Sequence, residues 1–263
     1  MDNNDDNVSA LSSARSAALS AIERNFLKKF EKAAAEESFL KLYWDMSDAQ
    51  SRAIKAALMA CGVKHEGWST DRLAAKNLKP GARPMEKSIP YIVVNEREVL
   101  HYITVEEKDH VQIDALFDYV RTQFPLMLSL YPDVNYLQIQ AILQYHQTVL
   151  RPAIQLHIET HYEKNVTTRG TVFTMQQLKD QSQALVDIPK ALATLEKDLR
   201  ACGTIYLTGN EPCAADYVLF HEVLDLDLIN YKVDPQRYPH ILTWKKACAG
   251  LRGNKEVYNL YAS

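Results

Sequence analysis

The chain has 263 residues, enough for one large domain or two modest ones, and its 47% hydrophobic content supports a sizeable core. Lys and Arg total 30 against 33 Asp and Glu, a formal net charge of −3 that argues against direct nucleic-acid binding through a broad basic face. The four cysteines (Cys61, Cys202, Cys213, Cys248) are widely spaced with no Cys-x-x-Cys pair, which argues against a zinc knuckle or redox dithiol and fits reduced thiols in the cytoplasm.

Residues 1–12 are polar and expected to be disordered. This acidic start lacks the apolar core of a secretory leader and the positive charge of a mitochondrial presequence. No later apolar run approaches the length of a membrane span. Residues 13–37 become rich in Ala, Lys and Glu, and Leu19, Ile22, Phe26 and Phe30 form one apolar stripe at helical spacing. That helix either packs on its own domain or offers a recognition surface to a partner protein. Residues 39–44 read as a strand, 49–61 as a helix stopped by Gly62, and 63–68 as a second strand. Ser69, Thr70 and Asp71 can start a short helix, ended by Pro80 and Gly81. Residues 90–94 and 99–105 are β-branched and aromatic runs around the polar residues 95–98, a hairpin signal. The charged run 96–110 marks an exposed hairpin and turn, after which Asp109 and Gln112 are expected to cap a helix reaching residue 124.

Residues 125–134 form a linker, and no convincing strand follows it. Residues 135–164, 174–201, 213–228 and 239–251 each show helical periodicity, with Pro189 expected to kink the second of these helices. The start of the third helix is the most informative local pattern. Gly209 lies in a turn, Cys213 stands at the cap, and Asp216 occupies the third helical position ahead of an apolar run. There the Asp216 carboxylate can accept backbone N–H groups that the first turn leaves unpaired, and its charge suits the positive helix end.

The order β-α-β-α-β-β-α over residues 38–124 resembles a thioredoxin-like domain. The capping segment, with Trp244 after Tyr238 and Pro239, resembles that of the all-helical domain of the glutathione S-transferase superfamily, where the cap is usually Ser or Thr. The resemblance implies an α/β plus all-α fold: a thioredoxin-like domain over 38–124, a linker over 125–134 and an all-helical domain over 135–263. Residues 1–37, a disordered start and an extra N-terminal helix, precede them. Leu42, Tyr43, Trp44, Asp45 and Met46 are similar to the first strand and turn of tyrosine-type transferases, which implies Tyr43 at the catalytic position. Ile89 and Pro90 look like the family's cis-proline element, which positions the cysteinyl part of glutathione. Gln144 to Arg151 is similar to the first long helix of the second domain.

In the family, an acidic residue or Gln followed by Ser holds the γ-glutamyl group at the start of the third helix. Here the equivalent pair is Tyr102 and Ile103 if the hairpin has its usual length, or Gln112 and Ile113 if the hairpin is extended. The second is preferred because 109–124 is helical. In both cases Ile replaces Ser, and an apolar side chain cannot pair with a carboxylate. The match around the first helix also needs a one-residue insertion within 47–51.

Two functions are therefore in play. One is a protein–protein interaction or scaffold module with a degenerate glutathione site. It would dock through helical faces and the N-terminal helix, as a homodimer or with another transferase-like domain. Ile205, Tyr206, Leu207, Thr208 and Gly209 with Ala215, Asp216 and Trp244 resemble the scaffold proteins of translation complexes. The other is an active transferase in which Tyr43 activates the thiol and Pro90 and Gln112 position glutathione. His157 and His161, four apart with His146 nearby, could bind zinc, but no third ligand is identifiable and no metal is expected. Cys213 reads as a buried cap substitute rather than a nucleophile.

Overall fold

The computed structural model describes residues 40–69, 90–94, 97–99, 102–105, 108–162, 175–228 and 231–262. The helices expected over 13–37 and 70–81 lie outside the described residues, as does Ile89 of the Ile89–Pro90 bond.

Strand β1 (Leu40–Trp44) alternates strictly: Leu40, Leu42 and Trp44 are buried, whereas Lys41 and Tyr43 on the other face are half-buried. Asp48 caps helix α1 (Ala49–Ala60), its Oδ2 accepting the Ser51 N–H at 2.6 Å. The helix ends at Cys61 and Gly62, the latter at φ 70°, as a helix stop requires. Strand β2 (His65–Ser69) runs parallel to β1, and β3 (Tyr91–Val94) runs antiparallel on its other side. Strand β4 (Arg97–Val99) completes a sheet of order β2-β1-β3-β4. Covered by α1, this mixed sheet is the thioredoxin-like half.

Two expectations change in the next segment. The hairpin expected between 90–94 and 99–105 is tighter: β4 begins at Arg97, inside the residues read as its turn. Residues 102–105 do not join that sheet. As β5 (Tyr102–Val105) they pair with β6 (Lys108–Val111) in a second, two-stranded hairpin. The Tyr-Ile-Thr-Val run has strand propensity either way, and its partner Lys-Asp-His-Val is too polar to announce itself. Asp109 therefore lies in β6 and does not cap a helix. Gln112 precedes helix α2 (Ile113–Gln123), but its side chain makes no capping hydrogen bond.

The segment read as a linker is packed. It forms two 3₁₀ turns, Pro125–Ser129 and Asp133–Asn135, and buries Met127, Leu130 and Tyr131. Arg121 of α2 clasps it by bonding Asp133 at 2.6 Å and lying over the Tyr131 and Tyr136 rings. The helix expected over 135–164 is built in three parts: α3 (Tyr136–Tyr145), a π turn (His146–Leu150) and α4 (Arg151–Tyr162). Then follow α5 (Met175–Cys202), which continues through Pro189, α6 (Ala214–Leu228) and α7 (Pro239–Ala249). A last helix, α8 (Asn254–Ala262), was not foreseen, because nine residues are too few for periodicity to register.

Helix α6 is the centre of the fold, with every residue from 214 to 226 buried. It lies against α1, so the two halves share one core. Its N-terminus is fixed by Asp216, as the sequence suggests. Oδ2 accepts the Cys213 N–H at 2.9 Å, while Oδ1 accepts the Leu207 N–H at 3.1 Å and the Trp244 indole N–H at 2.8 Å. One carboxylate thus ties the turn, the cap and α7 together. Glu196 of α5 serves α7 in the same way, accepting the His240 and Ile241 N–H groups at 3.2 and 2.9 Å.

Replacing Asp216 by Ala strands three buried donors, and urea unfolding is expected to register a loss of about 3 kcal/mol or more. Gly253 sits at φ 84°, and a Cβ there would meet the Ala56 carbonyl oxygen of α1 at 2.0 Å. Gly253→Ala is expected to cost roughly 2–4 kcal/mol in the same measurement, since backbone strain and overpacking add.

Candidate functional site

Two of the residues named from sequence, Tyr43 and Pro90, lie near one another at one end of the sheet. Tyr43 pairs with Tyr91 in the β1–β3 ladder, so Pro90, itself buried, lies one step further along, beside the end of β1. The structure therefore places Tyr43 on β1 and Pro90 immediately before the adjacent strand β3. Tyr43 stands on the face of the sheet opposite Leu42 and Trp44. Gln112 is half-buried ahead of α2, and Ile113 beside it is wholly buried in the hydrophobic core. The extended hairpin is the arrangement observed, because residues 102–105 and 108–111 form strands and the helix starts at Ile113.

The turn leaving β1 holds a second hydroxyl that sequence reading passed over, Ser47. It is exposed, and its Oγ donates to Asp45 Oδ1 at 2.7 Å while its N–H donates to the same oxygen at 2.8 Å. A hydroxyl has one proton. With that proton on Asp45, Ser47 has none to offer a thiolate. Cys213 is buried, and burial pushes its thiol well above the ordinary range.

Behind this turn lies a buried charge cluster that joins the two halves. Arg52 of α1 forms an ion pair with Asp225 of α6, and it also donates to the Met46 carbonyl at 2.8 Å and the His221 carbonyl at 3.2 Å. Arg151 bridges Asp48, the α1 cap, at 2.9 Å and Glu222 of α6 at 3.0 Å. His146 Nε2 lies 2.9 Å from the same Glu222 oxygen. The π turn makes this sharing possible. Residues five apart on a regular α-helix point about 140° apart. Here the Arg151 N–H bonds the His146 carbonyl, the five-residue closure of a π turn, and both side chains reach Glu222. Burial alone would raise the Glu222 carboxyl, but Arg151 and His146 outweigh it and hold it down at about 2. Burial, reinforced by the Arg52 charge, keeps His221 far below its usual range and neutral.

Residues 168–253 match the family model "Glutathione S-transferase, C-terminal domain". Among solved structures, human glutathione S-transferase T1-1 in its apo form superposes with TM-score 0.62 at 16% identity, over 83% of this chain and 86% of that one. A glutathione transferase homologue from Sulfitobacter with bound glutathione gives 0.61 at 19%, over 84% and 97%. Maleylacetoacetate isomerase from Anaeromyxobacter dehalogenans gives 0.60 at 20%, over 84% and 90%. The chain shares the fold of the glutathione S-transferases, and residues 168–253 match the family's C-terminal domain. No curated protein matches it in sequence.

Within a glutathione S-transferase fold, the residues brought together are Tyr43 and Pro90, with Ser47 and Asp48 at the neighbouring turn. Gln112 stands at a helix start whose next residue, Ile113, points into the core. Cys213 and Asp216 have a structural part only. The histidines do not gather: His146 faces Glu222, His157 packs edge-on to Tyr231, and the His161 side chain lies outside the described residues. Among the described residues no group of three or more His, Cys, Asp or Glu side chains is arranged to hold a metal ion. Sequence could have flagged Arg52 and Glu222 as charges inside otherwise apolar helical patterns, but not their partners.

Arg151 is 22% exposed and neutralises two carboxylates. Arg151→Met is expected to destabilise the protein by about 3–5 kcal/mol, because it leaves Glu222 and Asp48 buried without their cation. Glu222, held below the ordinary value of about 4.3 for a free Glu, contributes stability that is present above that pH and lost as pH falls toward 2. In acid titrations followed by circular dichroism, Glu222→Gln should lack that share of the acid-induced loss.

Proposed function

We propose that this chain is a glutathione transferase-like protein with a degenerate glutathione site, working as a protein–protein interaction module. The observation that carries this reading is Ile113. In the superfamily, a Ser following an acidic residue or Gln at the start of the third helix of the thioredoxin-like domain supplies a hydroxyl for the γ-glutamyl end of glutathione. Here it is an apolar side chain committed to the core. A charged group left unpaired there costs about 1–3 kcal/mol or more, and Gln112 offers only one polar side chain in compensation. The engaged proton of Ser47 removes a second donor from the thiol end.

The helical half also supports docking. Residues 134–150 contain no Asp, Glu, Lys or Arg, and their outward face carries Val134 at 88% and Leu137 at 80% exposure, with Ala141 and Val149 further along. An uncharged, partly apolar face on a surface helix suits a second copy or another transferase-like domain. Translation-associated assemblies are the class of partner that fits the resemblance of residues 205–216 and Trp244. Four free cysteines fit a reducing, cytoplasmic setting.

A second reading has its own support. Tyr43 on β1 lies near Pro90, which leads into the neighbouring β3, and a structural relative carries bound glutathione. An active enzyme would use the Tyr43 hydroxyl to stabilise the thiolate. The two readings separate on a glutathione matrix followed by a conjugation assay with a halogenated nitrobenzene. The module predicts no retention, no turnover above the uncatalysed rate and no difference between wild type and Tyr43→Phe. Retention, with turnover that drops about 100-fold in Tyr43→Phe, would establish the enzyme instead.

A further inference from the structure

The net charge of −3 argues against a broad basic face, but the cations are not spread evenly. Residues 235–255 hold Arg237, Lys245, Lys246, Arg252 and Lys255 and not one Asp or Glu. Lys245 is engaged by Asp227 of α6 at 2.6 Å. Lys246, in the last turn of α7, and Arg252 and Lys255, at the turn into α8, are exposed, and among the described residues no carboxylate pairs with any of the three. The two carboxylates that border the run are turned onto backbone: Asp234 accepts the Gln236 N–H at 2.9 Å, and Glu256 accepts the Gly253 N–H. Helix electrostatics accounts for Lys246, whose charge suits the negative end of α7. It opposes Arg252 and Lys255, which flank the start of α8, where positive charge is unfavourable. Arg237, two residues ahead of α7, at least has the Tyr238 ring beneath it at 5.2 Å. Exposed cations from which the fold gains nothing suit an anionic partner. One turn past Lys255, Tyr258 stands 47% exposed, and Asn259 beside it is exposed too. Residues three and four apart share a helix face, so a ring and an amide line up with that cation.

We infer that the α7–α8 corner is a docking site for single-stranded nucleic acid, in which Lys246, Arg252 and Lys255 take the phosphate backbone and Tyr258 stacks on a base. Neutralising phosphates with Lys and Arg supplies affinity without regard to sequence, and a ring beside the cations offers a face on which any base can stack. An acidic polypeptide would use the cations and leave the ring without a flat partner. An anionic membrane would call for exposed apolar side chains beside the cations, whereas the corner exposes Ala249, Gly250, Arg252 and Asn259. The cations ride on fixed backbone: Gly253 lies against the Ala56 carbonyl of α1, the Tyr217 hydroxyl donates to the Arg252 carbonyl at 3.1 Å, and Val257 is buried. Neither Tyr43 nor Pro90 takes part, so this site stands whether or not glutathione binds.

The test is fluorescence anisotropy of a labelled mixed-sequence RNA of about 20 nucleotides with the full chain, at about 50 to 300 mM salt and without glutathione. Three phosphate contacts on a single strand should make log K fall against log salt with a slope of about −2. Arg252→Gln/Lys255→Gln should bind about tenfold or more weakly at the lowest salt, with a shallower slope. Lys179→Gln/Lys190→Gln removes as much charge from exposed lysines of α5 and should stay within about twofold of wild type. Tyr258→Ala should bind about fivefold or more weakly with the slope unchanged. No binding by wild type at the lowest salt would overturn the proposal, as would equal losses in the two double variants or an unchanged affinity in Tyr258→Ala. A duplex bound as tightly as the single strand would also overturn it, because stacking needs an open base. Tighter binding of a polyglutamate of equal charge, or of vesicles rich in phosphatidylserine, would replace it with an acidic protein or a membrane. Should Arg252→Gln/Lys255→Gln fail to fold by circular dichroism, Tyr258→Ala and the wild-type salt slope decide.

Discussion

Helix α6 is buried along almost its whole length, and everything else is arranged to make that tolerable. On a helix with no solvent face, each unpaired polar side chain is costly. Asp216, Glu222 and Asp225 all lie on it, and each recruits a partner from elsewhere in the chain. Asp216 draws in the Leu207 turn and the Trp244 indole, Glu222 draws in His146 and Arg151, and Asp225 draws in Arg52. The topology of the helical half, and its attachment to the sheet, can be read as the set of places from which those partners have to come.

That constraint separates what was legible in the sequence from what was not. Strand β1, helix α1 with its Gly62 stop, and the Asp216 cap were all readable, because each depends on residues within a few positions of one another. The charge cluster was not. Arg52 and Asp225 are far apart in the chain, and nothing local says that Arg52 points at α6 rather than at solvent. The π turn was hidden for a related reason: one extra residue per turn barely disturbs the apolar periodicity of 135–164, yet it decides that His146 and Arg151 share a partner. The β5–β6 hairpin was missed because Lys108, Asp109 and His110 resemble a loop, and only the strand across from them makes them a strand. At the candidate site, Tyr43 and Pro90 are named through resemblance alone. Ser47 was not singled out, because a serine in a turn is ordinary until its hydrogen bond to Asp45 is seen.

Ile113 shows how the start of a helix can be committed to packing. At a helix start, a small hydroxyl side chain can turn outward to a ligand while the backbone continues into the helix. A branched apolar side chain at the same position gains by turning inward. Full burial of such a side chain is worth about 1.5–3 kcal/mol, and Ile113 realises it against the core shared with Leu116, Phe117 and Val120. Turned inward, the Ile113 side chain anchors the start of α2 in that core.

The site's edge and the interdomain seam are not independent structures. Asp48 is at once the N-cap of α1, a partner of Arg151 and the residue that follows Ser47. Arg52, one turn further along α1, holds the Met46 carbonyl on one side and α6 on the other. Any shift of α1 against α6 therefore moves residues 46–48 with it. The turn that borders Tyr43 inherits its shape from charges supplied by the helical half. In this chain the electrostatics of domain docking and the geometry of the candidate site are one problem, and the carboxylates of Asp48, Glu222 and Asp225 are where it is solved.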